Sequence, residues 1–247
     1  MRSATQVAKA TPPDPIFGYR GDMDAKPLKI EVPGVGEVSG LWRSPKNAMA
    51  CLALAHGAGA GMTHRAMAAI AEGLDDLGVA TLRYQFPYME KGSKRPDGPA
   101  VAHATVRAAA VEARRRAGDL PLFAGGRSFG GRMTSQAQAL EPLAGVSGLV
   151  FFAFPLHLAG KPSVTRAEHL SDVTVPMLFL QGSHDALAEL DLLQQTVAGI
   201  GKRATLYLIA DADHAFHVPA RTGRKDADEL AAALKIAVRW IAEVASV

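Results

Sequence analysis

Residues 120–131 read LPLFAGGRSFGG, an apolar run followed by a glycine-rich turn and then by helical periodicity. Ser128 stands in the pattern Gly126-x-Ser128-x-Gly130 within this turn. A strand that turns this tightly into a helix holds the serine in strained backbone angles, and side chains two positions before or after it would clash. The stretch therefore predicts a helix over 129–140 and a serine hydroxyl raised clear of a sheet edge.

The same alternation of short apolar runs and amphipathic segments extends along the chain on both sides of this turn. Residues 28–42 predict a β-hairpin around a Pro-Gly-Val-Gly turn at 33–36. Strands are predicted at 49–55, 79–86, 120–125, 147–154, 175–181 and 204–210, and helices at 64–77, 99–117, 129–140, 186–199 and 226–244, the last with Asp226 as its N-cap. This order predicts an α/β fold: a single domain over 28–247 with a mostly parallel sheet, helices on both faces and an antiparallel hairpin at one edge.

Composition supports one folded domain. The chain has 247 residues, of which 48% are hydrophobic and 21% are charged, the balance of a soluble globular protein. Residues 1–27 are rich in Pro, Gly and Asp without periodicity and are predicted to form an extended or disordered N-terminal arm. No apolar stretch reaches the roughly 20 residues that span a bilayer, and the first residues lack the apolar core of a signal peptide. We therefore expect a cytoplasmic protein without a membrane partner.

Charge and cysteine content exclude other classes. The net charge is +3, and the one basic run, residues 114–116, stands at the end of a predicted helix. Cations there complement the helix dipole, and no aromatic residues alternate with the arginines. The run is therefore interpreted as a solvated face rather than as a nucleic-acid site. Cys51 is the only cysteine, which rules out an internal disulfide or a thiolate zinc cluster. It lies in an apolar strand and is expected to be a buried structural thiol. No metal or cofactor is predicted.

An acid and a base follow two later strands. Asp185 comes after the strand VPMLFL, and His214 comes after ATLYLIA. A serine hydroxyl needs a base to remove its proton, and histidine is the usual base near neutral pH. Asp185 could instead be the N-cap of the helix at 186–199, with Asp172 and Asp191 as weaker rivals for the acid and His217 as a rival for the base. Three strand ends in the order Ser128, Asp185, His214 favour a catalytic triad.

A second glycine-rich loop, HGAGAG at 56–61, follows the strand at 49–55. Small residues let backbone amides approach an oxyanion closely. The amides of Ala58 and Phe129 are the predicted oxyanion hole, with Gly59 as an alternative to Ala58. His56 is expected to brace this loop rather than to take part in catalysis.

Basic and aromatic residues near predicted strand ends are candidates for binding an acidic group of the substrate. The candidates for this role are Arg127 and Tyr84, and also Arg83 and Arg132. Arg127 and Arg132 could equally pair with carboxylates of the protein itself.

The segments LAHGAGAGM, LRYQFPYME, FAGGRSFGGRM, FFAFPLHLAGKP, PMLFLQGSHD and DADHAFHV resemble the α/β-hydrolase superfamily over roughly residues 28–247. More narrowly, the chain is similar to small bacterial dienelactone-hydrolase-like proteins, which are related to the hydrolase-like domain of a subunit of a nuclear histone-acetyltransferase complex. Dienelactone hydrolases carry cysteine where this chain has Ser128, which favours a general ester or related acyl substrate. The connection between the strands at 147–154 and 175–181 is about 20 residues, too short for the large helical lid of many lipases.

The resemblance and the site residues together predict a cofactor-free, carboxylesterase-like serine hydrolase acting on a small ester, thioester or similar acyl compound through an acyl-enzyme. An acyltransferase using the same triad is the first alternative, and a non-catalytic protein-interaction module is the second. The expected partner is a small-molecule acyl substrate, and no oligomeric state is predicted.

Overall fold

The computed structural model describes residues 24–246. The predicted N-terminal arm lies outside these residues except at its end, where the first strand begins at Lys26, two residues before the predicted domain boundary. The strands are β1 (Lys26–Val32), β2 (Gly36–Arg43), β3 (Ala50–Ala55), β4 (Val79–Tyr84), β5 (Leu122–Arg127), β6 (Val146–Phe152), β7 (Met177–Gly182) and β8 (Ala204–Ile209). The α-helices are α1 (Arg65–Asp76), α2 (Pro87–Glu90), α3 (Pro99–Ala117), α4 (Phe129–Leu140), α5 (Leu190–Ile200) and α6 (Asp226–Ala245), and short 3-10 helices span Thr165–Asp172, Gly201–Arg203 and Ala220–Thr222.

The strands form one eight-stranded sheet in the order β1-β2-β4-β3-β5-β6-β7-β8. β1 pairs with β2 and β2 with β4 in antiparallel fashion, and every other pair is parallel. The predicted fold class and the antiparallel hairpin at one edge are confirmed. Because β5 lies inside the sheet and all parallel strands point the same way, the loops after β3, β5, β7 and β8 meet along one edge.

Two apolar layers cover the sheet, and the alternation along β5 illustrates both. Leu122 and Ala124 pack into the layer formed with α3, α4 and α5, whereas Phe123 between them packs into the layer formed with α1 and α6. Trp240 of α6 meets the Phe123 ring at 5.9 Å between centroids. Side chains of successive strand residues point to opposite faces, so a strand covered on both faces must be apolar throughout.

The bounds of several elements differ from those predicted. α5 begins at Leu190, four residues later than predicted, because the backbone after Asp185 forms turns instead, with the Ala188 amide donating to the Asp185 carbonyl. Residues 87–90, for which no helix was predicted, form the short helix α2. Asp226 is the first residue of α6, so its assignment as N-cap is wrong; its carboxylate accepts a hydrogen bond from the Val218 amide across the preceding loop.

Two further expectations concern side chains. Cys51 is fully buried, and burial raises the pKa of its thiol to about 12, as befits a structural residue. Arg115 and Arg116 in the last turn of α3 both pair with Glu112, at 2.8 and 2.6 Å, on the same helix.

No helix among residues 24–246 combines the length and the apolar character that crossing a bilayer requires.

Candidate active site

Ser128 is placed by the turn between β5 and α4. Its backbone has φ 50° and ψ −117°, a conformation that costs a non-glycine residue about 1–3 kcal/mol. Two hydrogen bonds hold the residue there: its amide donates to the Phe152 carbonyl at 3.0 Å, and its carbonyl accepts from the Arg132 amide at 3.1 Å. The strained backbone predicted for the serine is therefore present and is restrained from both sides.

The flanking glycines give this turn the clearance that it needs. A Cβ at Gly126 would lie 2.5 Å from the Ala55 carbonyl oxygen, and one at Gly130 would lie 2.5 Å from the His56 carbonyl oxygen. Atoms other than hydrogen do not approach so closely without displacement of the backbone. β5 and α4 thus pack directly against the end of β3, and this packing brings the loop after β3 next to Ser128.

A chain of hydrogen bonds joins Ser128, His214 and Asp185. The Ser128 Oγ lies 2.9 Å from His214 Nε2, and His214 Nδ1 lies 2.7 Å from Asp185 Oδ2. An ionised carboxylate only accepts hydrogen bonds, so Nδ1 carries the proton and Nε2 accepts the proton of the serine hydroxyl. The structure brings together the three residues singled out in the sequence, in the arrangement that activates a serine nucleophile.

The carboxylate of Asp185 is fixed by two further donors. Its side chain is fully buried; the Leu187 amide donates to Oδ1 at 2.8 Å, and Gln181 Nε2 donates to Oδ2 at 2.5 Å. Because α5 does not begin until Leu190, the alternative role of Asp185 as the N-cap of a helix at 186–199 is wrong. Gln181 was missed in the sequence, although an amide side chain in the otherwise apolar strand MLFLQG was a usable signal.

The loop that carries His214 is held against the serine turn. Arg127 Nη2 donates to the His214 carbonyl at 3.0 Å, and Asp213 Oδ1 accepts from the amides of Ala215 and His217 at 2.7 and 3.0 Å. Burial lowers the pKa of the Arg127 guanidinium, while the charges of Asp213 and Asp185 oppose that shift. Arg127 directly precedes Ser128 in the chain, so its hydrogen bond joins the serine turn to the loop that carries His214.

The loop after β3 is braced from beneath. The Phe86 amide donates to His56 Nε2 at 3.0 Å, so Nδ1 carries the proton and donates to the Gly57 carbonyl at 2.8 Å. The Tyr88 hydroxyl donates to the Ala58 carbonyl at 2.8 Å. His56 is fully buried and burial lowers its pKa, so it braces the loop as expected. Tyr88 was not singled out in the sequence, where α2 was taken for a loop.

The amides predicted to form an oxyanion hole belong to the loop that begins beside Ser128 and to the residue that follows it. A Cβ at Gly57 would lie 3.8 Å from the Ser128 Cβ, which places the start of the 56–61 loop beside the serine. The Phe129 amide is the first of α4, before the first intrahelical acceptor. Within residues 24–246 the Ala58 amide donates to no protein acceptor.

Not every candidate near the strand ends reaches the site. Tyr84 is fully buried in the layer under α3 and α4, and hydrogen bonding links its hydroxyl to Thr134, so the assignment of Tyr84 to substrate binding is wrong. Arg83 is also fully buried and donates to the Met62 carbonyl at 3.0 Å.

Two other histidines are engaged elsewhere. His217 is exposed and its Nδ1 lies 2.9 Å from Asp226 Oδ2, an ion pair that raises its pKa, so this rival for the base is occupied away from Ser128. His169 Nε2 lies 2.7 Å from Ser135 Oγ, a second Ser–His contact. The Ser135 Oγ also lies 3.0 Å from the Arg132 carbonyl and is fully buried, and among the described residues no carboxylate forms a hydrogen bond with His169, so this pair lacks the third member that Asp185 provides for His214.

The chain resembles known proteins both in sequence and in fold. A family model for the alpha/beta hydrolase domain matches residues 48–242, and the chain belongs to that family. The fold is shared with an alpha-beta serine hydrolase homologue from Coxiella burnetii (20% identity, 87% of this chain and 96% of that chain, TM-score 0.68). It is also shared with a dienelactone hydrolase from Anabaena variabilis (20%, 89% and 97%, 0.71) and with an a/b serine hydrolase without lid from Xanthomonas campestris (22%, 92% and 97%, 0.68).

The likeness to a lidless structure agrees with the connection between β6 and β7. Residues 153–176 of this connection contain the 3-10 helix Thr165–Asp172 and otherwise loops. The prediction of a minimal or absent lid is confirmed. The loops after β3, β5, β7 and β8 are therefore not covered by a helical layer from this connection.

No group of three or more metal-ligating side chains occurs in the part of the chain that the structure describes.

Proposed function

We propose that this protein is a serine hydrolase that cleaves a small carboxylic ester or thioester through an acyl-enzyme on Ser128. The observation that carries the proposal is the continuous hydrogen-bond chain from Ser128 Oγ through His214 to Asp185 Oδ2. A hydroxyl in this arrangement loses its proton to the imidazole as it attacks, and the buried carboxylate stabilises the imidazolium that forms.

The reaction would proceed in two halves. Ser128 Oγ bonds to the carbonyl carbon while its proton passes to His214 Nε2, and the tetrahedral intermediate collapses when His214 returns that proton to the leaving alcohol or thiol. Water then attacks the acyl-enzyme, gives its proton to His214, and releases the acid and free Ser128. Atoms and charge balance in each half without a cofactor.

The amides of Ala58 and Phe129 are the proposed donors to the oxyanion. Phe129 follows Ser128 directly, the loop of Ala58 begins beside Ser128 at Gly57, and the Tyr88 hydroxyl holds the Ala58 carbonyl, which restrains that loop. Preorganised donors of this kind typically contribute about 10²–10³ in rate each. The absence of a helical lid supports a small, water-accessible substrate rather than bulk lipid.

The test is intact-protein mass spectrometry after treatment with a fluorophosphonate, which reacts with activated serines. We expect one adduct on the wild type and none on Ser128→Ala. Ser135→Ala is the matched control, because it removes the other hydroxyl that contacts a histidine and should keep the adduct. Labelling of folded Ser128→Ala, or no labelling of folded wild type, would refute the proposal.

A further inference from the structure

A basic side chain without a partner lies one helical turn after Ser128. The Arg132 guanidinium carbon sits 5.8 Å from the centroid of the Phe129 ring, and its Nε atom is buried without a hydrogen-bond partner among the described residues. An arginine placed over an aromatic ring keeps its charge and most of its donors available. Arg132 thus carries its charge on the first turn of α4, the helix that begins directly after Ser128.

A second arginine, Arg166, lies on the β6–β7 connection, in the 3-10 helix that contacts α4 where Ser135 Oγ lies 2.7 Å from His169 Nε2. Burial and, after it, the charge of Arg166 lower the pKa of Arg132, and Arg166 Nη1 donates to the His157 carbonyl at 3.1 Å. Neither guanidinium forms a salt bridge with a carboxylate among residues 24–246. Burial is the main cause that lowers the pKa of His103 and of His169, and the positive charge of Arg132 adds to both shifts, so positive potential is concentrated between α4 and this connection. Like charges held together favour binding of an anion.

Arg166 also lines a cavity that offers hydrogen-bond donors without a carboxylate. The cavity has a volume of about 230 Å³ and is lined by Leu156, His157, Leu158, Lys161, Ser163, Thr165 and Arg166. His157 also lines a neighbouring cavity of about 320 Å³. The two carboxylates that line this second cavity are those of Asp185 and Glu189. The basic cavity thus adjoins the acid end of the Ser128–His214–Asp185 chain.

We propose that Arg166, Lys161 and Arg132 bind a phosphate group carried by the acyl substrate. The inference rests on the proposed serine hydrolase function and names its substrate class, a phosphorylated ester or thioester. The Ser163 and Thr165 hydroxyls are hydrogen-bonded to each other at 2.6 Å, which leaves one hydroxyl proton to donate to a ligand. Three cationic groups and this donor carry more positive charge than one monovalent carboxylate neutralises, whereas a phosphate offers three acceptor oxygens and nearly two charges. Hydrolysis would leave the phosphate untouched, so this site positions the substrate.

The first experiment measures binding without turnover. Isothermal titration of the full chain with inorganic phosphate should give heat of binding, and Arg166→Gln and Lys161→Gln should weaken the affinity about tenfold or more, as expected for loss of a charge-assisted hydrogen bond. Arg239→Gln removes one positive charge from an exposed position on α6 and should bind phosphate like the wild type. Acetate at the same ionic strength should bind more weakly than phosphate.

Two results of this titration would overturn the site. One is equal weakening in Arg239→Gln, which would mean that only net charge matters. The other is acetate binding as tightly as phosphate, which would mean a general anion surface.

The second experiment compares two thioesters that differ only in a phosphate, S-butyryl-pantetheine and its 4′-phosphate. The ratio of their kcat/KM values should favour the phosphate in the wild type, fall about tenfold or more in Arg166→Gln, and decline with salt. A ratio that does not change in folded Arg166→Gln would refute the substrate assignment. If neither thioester is cleaved and no fluorophosphonate adduct forms, the hydrolase proposal fails, and the phosphate titration still decides the binding site separately.

Discussion

Gln181 is the residue whose replacement best tests how the site is held together. Its Nε2 donates to Asp185 Oδ2 at 2.5 Å, and its Oε1 accepts from the Phe154 amide at 2.8 Å, both in fully buried surroundings. Gln181→Leu keeps the approximate volume and removes both hydrogen bonds. The carboxylate then depends on Leu187 and His214 alone, and the amide of Phe154 loses its acceptor.

The size of the effect follows from these two losses. A buried amide left without an acceptor costs about 1–3 kcal/mol, and loss of a hydrogen bond to a charged group costs about 1.5–3 kcal/mol. Together they should lower the free energy of unfolding by about 2.5–6 kcal/mol, and the melting temperature by roughly 5 °C or more. Of the two lost hydrogen bonds, only the one to Asp185 acts on the catalytic residues. Its loss should lower the rate at which Ser128 reacts by about 10–100-fold.

The assay is the second-order rate of fluorophosphonate labelling, which needs no knowledge of the substrate, followed at a temperature where the variants remain folded. Gln138→Leu is the matched control: Gln138 is also buried, and its Oε1 accepts from the Leu143 amide at 2.9 Å away from Asp185. It should lose stability but label at the wild-type rate. Wild-type labelling of Gln181→Leu, or equal slowing in both variants, would refute the positioning role of Gln181.

Two further predictions concern the loop beside Ser128 and the buried histidine of the second Ser–His contact. Tyr88→Phe removes the hydroxyl that holds the Ala58 carbonyl at 2.8 Å and should slow ester cleavage by lowering kcat more than it raises KM; an unchanged kcat would show that the loop keeps its position without this bond. Burial lowers the pKa of His169 to about 4, so below its ordinary pKa of 6.5 the unfolded chain binds a proton that the folded chain does not, and stability should fall as the pH drops from 7 to 4. His169→Gln should show a smaller fall in urea unfolding over this range, and identical pH profiles would contradict the assignment.

Much of the fold could be read from short-range patterns. Both α3 and α4 begin and end where the sequence predicted, and Pro99 occupies the first turn of α3 as expected. Apolar runs bounded by glycine and polar residues located every strand to within a few positions. These features depend on residues close together in the chain, where periodicity and turn chemistry act directly.

Errors occurred where distant contacts override the local pattern. Asp226 looks like a helix cap, but the folded loop at 218 offers its carboxylate another donor. Tyr84 stands at a strand end, yet its side chain points to the layer under α3 and α4 rather than to the open edge. Which face a terminal strand residue uses depends on register, which a local reading does not supply.

The sequence alone determined the strand–helix order, the glycine clearance around Ser128 and the chain order of serine, acid and histidine, because each is encoded in adjacent residues. Only the tertiary structure decided that His214, and not His217, lies 2.9 Å from the serine, and that Gln181 and Arg127 hold the acid and the histidine loop. It also decided that the 3-10 helix that carries Arg166 lies against α4, which carries Arg132, through the contact of His169 with Ser135. The contacts of His214 with Ser128 and Arg127 join residues 86 and 87 positions apart, and the contact of Gln181 with Asp185 joins residues four positions apart across the end of β7. Such distant residues meet only once the sheet edge has brought its loops together.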